Sequence, residues 1–193
     1  MDFKPIILIT APSGAGKTSI TKYLLQEFPS LSFSISATTR LPRGNEQDGV
    51  DYYFLSLSDF QKKIAENAFL EWEMVYEGKY YGTLLSELDR MWDLGLVPLL
   101  DIDVKGAIHV QQKFPESTLS FFIEAPSLEA LETRLRGRGT DTEENIQTRL
   151  NKAQYEMSFK QHFNHIIIND NLDEACKKTA SLIYNFINKK LRK

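Results

Sequence analysis

The sequence predicts an α/β protein with a parallel, doubly wound central sheet and a small β-rich insertion. Apolar runs typical of buried strands occupy residues 6–9, 97–103 and 165–169, and helical patterns alternate with them. Short connections join these elements, which is typical of parallel sheets. From Ser36 to about Leu85 the apolar residues instead alternate with a period of two, with turn signals between the runs. This segment is the predicted insertion.

Taken in order, the elements divide the chain into five segments. We predict that residues 1–35, 86–125 and 161–193 form the core, 36–85 the insertion, and 126–160 a helical lid. The strand patterns lie at 6–9, 31–36, 51–55, 69–76, 79–83, 97–103, 118–123 and 165–169. The predicted helices follow residue 16, start at Ser58, span 84–94 and 106–114, and begin at Ser127, Thr142 and Asn171.

Composition narrows the class of protein. The chain has 193 residues, 42% hydrophobic and 25% charged, which excludes disordered and fibrous proteins. A net charge of −3 gives no general affinity for nucleic acid or anionic membranes. Cys176 is the only cysteine, so no intrachain disulfide can form, and we expect a small apolar filler in a reducing compartment. No apolar run reaches the ~20 residues of a membrane span. We expect a cytoplasmic protein, a monomer or a weak homo-oligomer.

The most informative stretch is a glycine-bearing loop between the first strand and the first helix. It reads APSGAGKT over residues 11–18. Strand, loop and helix in this order predict a phosphate-binding loop, and hence a core of the P-loop NTP hydrolase type. Lys17 would reach the β- and γ-phosphates, and the Thr18 hydroxyl would ligate Mg²⁺. The predicted ATP-binding residues of this loop are Ala11, Pro12, Ser13, Gly14, Ala15, Gly16, Lys17, Thr18 and Ser19.

Ala11 stands where the motif has its first glycine. Alanine is tolerated there if its φ is negative, whereas a positive φ would strain the loop. The alternative interpretation is an ordinary Gly/Ser turn that closes a strand–helix connection.

Two acids, Asp101 and Asp103, follow a buried strand. Ligands of open α/β sheets bind at the carboxyl ends of the strands, so Asp101 is placed to hold a water of Mg²⁺ beside Thr18. The alternative is a pair of surface acids at a strand end. The histidines show no ligand spacing, so nucleotide-borne Mg²⁺ is the only metal we expect.

The insertion carries polar residues that could hold a second phosphate and a base. Guanidinium forks and phenol hydroxyls can clamp a phosphate. Glu71 can accept two hydrogen bonds from one planar edge, which guanine offers through N1–H and its amino group and adenine does not. Each residue alone also fits a structural role. The set is Ser36, Arg40, Arg43, Tyr52, Glu71, Tyr81 and Thr83.

Three arginines surround a glycine-containing loop farther along the chain. Arg134 and Arg138 share a helix face if the helix extends that far, and Arg149 lies across the loop. Arginines so placed can close over transferring phosphates. The alternative is a charged helix face that pairs with Glu132, Glu143 and Glu144.

Taken together, these segments resemble the guanylate kinases, which move a phosphoryl group from ATP to GMP or dGMP. The matching segments are APSGAGKT, SISATTRLPRGNEQDGVDYYF, FLEW, YYGT, LLDID, RLRGRGTDTEENIQTRL and IIIND, in family order over nearly the whole chain. The departures are Ala11 and an extra residue between Trp72 and Tyr80.

The resemblance implies a role for each matching residue. Ser36, Arg40, Arg43, Tyr52 and Tyr81 would bind the GMP phosphate, and Glu71, Thr83 and Asp103 would read guanine. Asp101 would lie at the metal and Asn169 near the adenine. Arg134, Arg138 and Arg149 would line the ATP side and the lid. The residues expected to promote the transfer are Lys17, Arg40, Arg134, Arg138 and Arg149.

Two rival functions stay open at this point. Guanylate-kinase-like modules of scaffold proteins bind phosphopeptides without catalysis, but the phosphate-loop residues Lys17 and Thr18 favour an enzyme. A related kinase could use a sugar phosphate as acceptor, which Glu71 with Asp103 disfavours.

Overall fold

The computed structural model describes residues 3–137, 139 and 141–190. They form two compact units. One takes in the described residues up to 31 and from 99 onward, and we call it the core unit; the other is 32–98, the inserted unit. The predicted insertion, 36–85, falls within the second, and the division into core, insertion and lid stays a prediction.

Strands and helices alternate in the core and give way to a run of strands in the inserted unit. In chain order the elements are β1 (Ile6–Thr10), α1 (Lys17–Glu27), β2 (Leu31–Phe33), β3 (Ala37–Thr38), β4 (Tyr53–Phe54), α2 (Leu57–Ala65), β5 (Phe69–Tyr76), β6 (Lys79–Leu84), α3 (Leu85–Asp93), β7 (Val97–Asp101), α4 (Val104–Lys113), β8 (Thr118–Glu124), α5 (Leu128–Arg136), α6 (Glu143–Met157), a 3₁₀ turn (Lys160–His162), β9 (His165–Ile168) and α7 (Leu172–Lys190).

The five-stranded sheet has the order β2-β7-β1-β8-β9, and β1 pairs in parallel with both neighbours. All five residues of β1 are buried, as its unbroken apolar sequence predicts. Strands β7 and β8 flank β1 on opposite sides, so β1 lies at a switch point in the strand order. Open α/β sheets bind their ligands at such a point. The predicted parallel α/β fold is confirmed.

The inserted unit contains a mixed four-stranded sheet of order β4-β3-β6-β5. Strands β5 and β6 form an antiparallel hairpin, and β6 also pairs with β3. Ala37, Phe60, Phe69 and Leu84 are buried together beneath this sheet. The Phe60 and Phe69 rings stack with centroids 4.3 Å apart, and burying such large apolar rings stabilises the unit.

Helix starts were predicted well except for those of α2 and α4, and α4 begins at Val104 and not at Gly106. Ser127 and Thr142 cap α5 and α6 as predicted, each accepting a backbone N–H. The predicted start of α2 at Ser58 is wrong, because Ser56 is the N-cap and its hydroxyl accepts from the Asp59 N–H. Both serines precede the apolar residues at similar spacing, so the pattern alone did not separate them. Within the described residues no helix is long and apolar enough to cross a membrane.

Candidate active site

The phosphate-type loop connects the buried strand β1 to helix α1. Gly14 and Gly16 adopt φ of +95° and +96°, a conformation that side chains rarely tolerate. Among the described residues the only non-glycine residue with positive φ is Asn67, so Ala11 has a negative φ and is not strained. Ala15 is fully buried against Leu131 and Leu135 of α5. The alanine in place of the first glycine therefore leaves the loop intact.

The loop opens onto a cavity of about 530 Å³ in the core unit. Lys17 Nζ donates to Asp101 Oδ1, joining the loop to the end of β7. Two features bring these residues together: Ile9 and Asp101 are partners in the parallel ladder, and Thr10 Oγ1 donates to the Ile102 carbonyl at 3.0 Å. The lining residues are Thr10, Ala11, Pro12, Ser13, Gly14, Gly16, Lys17, Thr18, Ser19, Asp101, Ile102, Asp103, Arg149, Lys152 and Glu156.

One face of α6 closes the cavity. Arg149 Nη1 donates to Ser13 Oγ at 2.6 Å, and its Nη2 lies 3.3 Å from Asp141 Oδ1. Lys152 and Glu156 lie on the same face and were missed from the sequence, although their spacing from Arg149 is helical. Burial raises the pKa of the Glu156 carboxyl, while Lys152 and Lys17 oppose that shift.

The other predicted lid residues are placed differently. Arg134 is not among the cavity-lining residues, and its Nη2 donates to the Asn169 carbonyl at 2.8 Å. Arg138 lies outside the described residues. Asn169 is buried, and its Nδ2 donates to the Ala15 carbonyl of the loop at 2.8 Å. The charged-face interpretation paired the predicted lid arginines with Glu132 and Glu143, but both acids pair with Arg136 instead.

The inserted unit brings together four of the predicted phosphate-binding residues. The Arg40 guanidinium lies 4.7 Å from the centre of the Tyr52 ring, and the Tyr52 and Tyr81 rings are 6.2 Å apart. Arg40, Arg43 and Tyr81 line a cavity of about 630 Å³ together with Lys79 and Glu77. Ser36 contributes its carbonyl to the Tyr53 N–H, and it is not among the lining residues.

Glu46 holds this cluster in shape and was missed from the sequence. Its two oxygens accept from Arg40 Nη1 and Nη2 at 2.6 and 2.7 Å, and Oε2 also accepts from the Arg43 N–H at 2.8 Å. These hydrogen bonds lower the pKa of Glu46 to about 2 and raise that of Arg40. A bidentate pair of this kind fixes the guanidinium plane. The only sequence feature that pointed to Glu46 was its position in the same loop as Arg40 and Arg43.

Glu71 and Thr83 meet across the β5–β6 hairpin. They are partners in the ladder, and Thr83 Oγ1 donates to Glu71 Oε1 at 2.7 Å. Gly82 makes the close approach possible, because a Cβ there would lie 2.7 Å from the Glu71 carbonyl oxygen. Thr83 is buried and Glu71 is half-buried. Glu71 lies on the edge strand β5, and the Thr83 hydroxyl is the donor beside its carboxylate.

Asp103 belongs to the core unit and starts a helix. Its Oδ1 accepts from the N–H groups of Lys105 and Gly106 at 2.7 and 2.9 Å, so it is the N-cap of α4. The strand before it ends at Asp101. Asp103 also lines the cavity at the phosphate-type loop.

The oxygen donors at this cavity suit a magnesium ion held mainly by a nucleotide. Thr18 offers a hydroxyl and Asp101 a carboxylate. Among the described residues no group of three or more His, Cys, Asp and Glu could hold a metal without help. Mg²⁺ is usually bound by one or two carboxylates together with substrate phosphates and water, which this donor set matches.

Comparison with known proteins gives one consistent family. A sequence model described as guanylate kinase matches residues 2–186. The guanylate kinase of Bacteroides thetaiotaomicron is 45% identical over 95% of this chain and 90% of its own length. That of Chlorobium chlorochromatii is 48% identical over 94% and 95%. A crystal structure of guanylate kinase from Anaplasma phagocytophilum superimposes with a TM-score of 0.71 at 26% identity, covering 94% of this chain and 85% of that one.

Proposed function

The chain belongs to the guanylate kinase family, and from this premise we propose that it moves the γ-phosphoryl group of Mg²⁺-bound ATP to GMP and dGMP. ATP-dependent phosphorylation of GMP is the activity that membership carries. What we add is the use of Mg²⁺ and dGMP, and the residue that performs each part. We also propose that the enzyme works in the cytoplasm, as a monomer or a weak homo-oligomer.

The Glu71–Thr83 pair is the observation that supports this assignment most. A carboxylate has about four lone-pair sites, so Glu71 can accept a pair of donors from a base edge as well as the Thr83 hydroxyl. Guanine supplies two adjacent donors on one edge. A sugar phosphate offers hydroxyls but no planar base edge, and adenine would bring an acceptor against the carboxylate. Asp103 is the third predicted guanine reader.

We assign the acceptor phosphate to the Arg40 cluster. Arg40, Arg43 and Tyr81 line one cavity, and Tyr52 stacks beneath Arg40. Glu46 occupies one edge of the Arg40 guanidinium, so phosphate would be met by its remaining N–H groups and by Arg43 and the phenol hydroxyls. Ser36 completes the predicted set. Contacts of this kind would fix the orientation of the acceptor phosphate within the inserted unit.

We assign the donor phosphates to the cavity of the phosphate-type loop. The loop N–H groups and the start of α1 would cradle the β- and γ-phosphates, with Lys17 leaving Asp101 to reach them. Arg149, on the far side, would neutralise charge on the transferred group, as would Arg138 and Arg134. Asn169 is assigned to the ATP side. Since a phosphate oxygen is already a nucleophile, no strong base is needed.

We assign the metal to Thr18 and Asp101. When bound, Mg²⁺ neutralises charge on the β- and γ-phosphates and so lowers the barrier to transfer. Asp101 would exchange its contact with Lys17 for a magnesium-bound water. The rest of the catalysis is positioning and electrostatic stabilisation by the chain's own cations.

A coupled assay of ADP release tests the function. The purified chain is given ATP with GMP, dGMP, AMP, UMP, CMP or ribose 5-phosphate, with and without Mg²⁺. We expect turnover with GMP and dGMP, and kcat/KM for AMP lower by roughly 10⁴-fold. Comparable turnover with ribose 5-phosphate or AMP would reject guanine as the recognised base.

A further inference from the structure

Asn169 joins the last core strand to the phosphate-type loop. It follows β9 directly and is 4% exposed. Its Nδ2 donates to the Ala15 carbonyl at 2.8 Å. The same nitrogen lies 2.1 Å from where a Cβ on Gly16 would stand, so side chain and loop are in close contact on both sides of one peptide bond.

The backbone of Asn169 is itself held from two directions. Its N–H donates to the Glu124 carbonyl at the end of β8, at 2.7 Å. Its carbonyl accepts from Arg134 Nη2 of α5 at 2.8 Å. Strand and helix thus fix the residue before its carboxamide reaches the loop. A side chain anchored this way loses little further freedom on forming its hydrogen bond.

We propose that Asn169 is a positioning residue that turns the N–H of Gly16 toward the donor phosphates. A peptide bond is planar and trans, so its C=O and N–H point in opposite directions. Asn169 holds the Ala15 carbonyl on the protein side, and the Gly16 N–H must then face away from it. Gly16 lines the cavity and Ala15 does not, in agreement with this orientation.

The inference rests on the proposed use of this cavity for ATP phosphates and departs from the adenine contact that the resemblance implies. The two roles differ in the part of ATP that they affect. An adenine contact acts only on ligands that carry the base. A loop-orienting contact acts on the phosphates, whether or not a base is attached. Inorganic tripolyphosphate, which has phosphates alone, separates them.

Asn169→Ala tests the proposal by calorimetry with magnesium tripolyphosphate and by kinetics with ATP and GMP. Without this hydrogen bond the loop is no longer held in its binding orientation, and restoring that orientation on binding typically costs about tenfold in affinity. We therefore expect the tripolyphosphate Kd and the ATP KM to rise together by roughly tenfold, with the GMP KM within about twofold.

Asn164→Ala is the matched control, because Asn164 precedes β9 and its Oδ1 accepts from the Ser120 N–H, away from the loop. It should leave the tripolyphosphate Kd unchanged. It also shows how much the loss of a hydrogen bond next to the same strand destabilises the protein. If Asn169→Ala does not fold, Asn169→Asp keeps the size and puts an acceptor against the Ala15 carbonyl, with the same expected loss. An ATP KM that rises while the tripolyphosphate Kd does not would overturn the proposal in favour of an adenine contact. Wild-type enzyme that fails to bind tripolyphosphate would also overturn it, whereas failure to use GMP would count against the proposed function.

Discussion

The two candidate nucleotide sites are built from different materials. The phosphate-type loop in the core unit is shaped by backbone: a buried strand, two glycines with positive φ and a helix start. The site in the inserted unit is shaped by side chains that hold other side chains, such as Glu46 on Arg40 and Thr83 on Glu71. The first is set largely by local sequence, whereas the second depends on side-chain contacts within one loop and across a pair of strands. Substitutions should therefore affect rate in the first and acceptor affinity in the second.

The largest effect is expected at Lys17. Lys17→Met should lower kcat by at least ~10³-fold, since the charge stabilises phosphates chiefly in the transition state. Binding of GMP, measured by calorimetry, should stay within a few-fold. Lys22→Met, on the exposed side of α1, is the control. A Lys17 variant with nearly normal turnover would remove the distinction between the two sites.

Arg149 should come next. Arg149→Ala removes the contact with Ser13 and a charge facing the cavity, so steady-state kinetics should show kcat lower by roughly 10²-fold and a smaller change in GMP KM. Arg136→Ala removes an arginine on α5 that pairs with acids instead, and it should retain nearly full kcat. Equal losses in both variants would mean that the assay reports only the stability of helices α5 and α6.

Glu46 tests the inserted unit. Glu46→Gln keeps the size but weakens the bidentate pair with Arg40, so we expect GMP KM to rise by roughly fivefold to tenfold, with ATP KM unchanged. Glu66→Gln, at an exposed pair with Lys62 in the same unit, serves as the control. An unchanged GMP KM would contradict this prediction, because Arg40 would then keep its orientation without the Glu46 carboxylate.

The smallest effect contrasts two carboxylates in a melting experiment. Burial raises the pKa of Glu156, so its ionisation destabilises the fold as the pH rises above the range of an ordinary carboxyl. Glu156→Gln should therefore melt a few degrees higher than wild type at pH 7.5, and no higher at pH 4.

The pKa of Glu46 is shifted in the opposite direction from that of Glu156. Its pKa is lowered to about 2, so its contribution is present above the ordinary value of 4.5 and is lost as the pH falls toward 2. Glu46→Gln should melt lower than wild type at pH 7.5, and the difference should shrink in acid. Two variants that shift in the same direction at pH 7.5 would contradict the assigned charge environments.

The sequence predicted best what is decided locally or by strand direction. The strand, glycine loop and helix order around Ala11 to Thr18 can be recognised from neighbouring residues. Asp101 joins this loop because parallel strands end at the same edge of a sheet. Lys152 and Glu156 were missed, although their helical spacing from Arg149 places them on the same face of α6.

What the sequence could not predict depends on contacts between distant or equivalent residues. Glu46 shares its loop with Asp48 and Asp51, and spacing does not select among three acids. The bond from Asn169 to Ala15 joins residues 154 apart, and no periodicity relates them. The Thr83–Glu71 contact depends on the register of the β5–β6 hairpin, which the sequence does not give. The need for glycine at position 82 becomes evident only when the two strands are paired.

Base recognition by Glu71 is the central claim, and kcat/KM for GMP and AMP tests it most directly in wild type, Glu71→Gln and Glu73→Gln. Glu73 lies two residues along the same strand, so it controls for strand structure. We predict that wild type prefers GMP by ~10⁴-fold, that Glu71→Gln raises GMP KM roughly tenfold or more, and that Glu73→Gln matches wild type. A Glu71 variant that uses GMP as well as wild type does, or a wild type that uses AMP equally, would contradict the account.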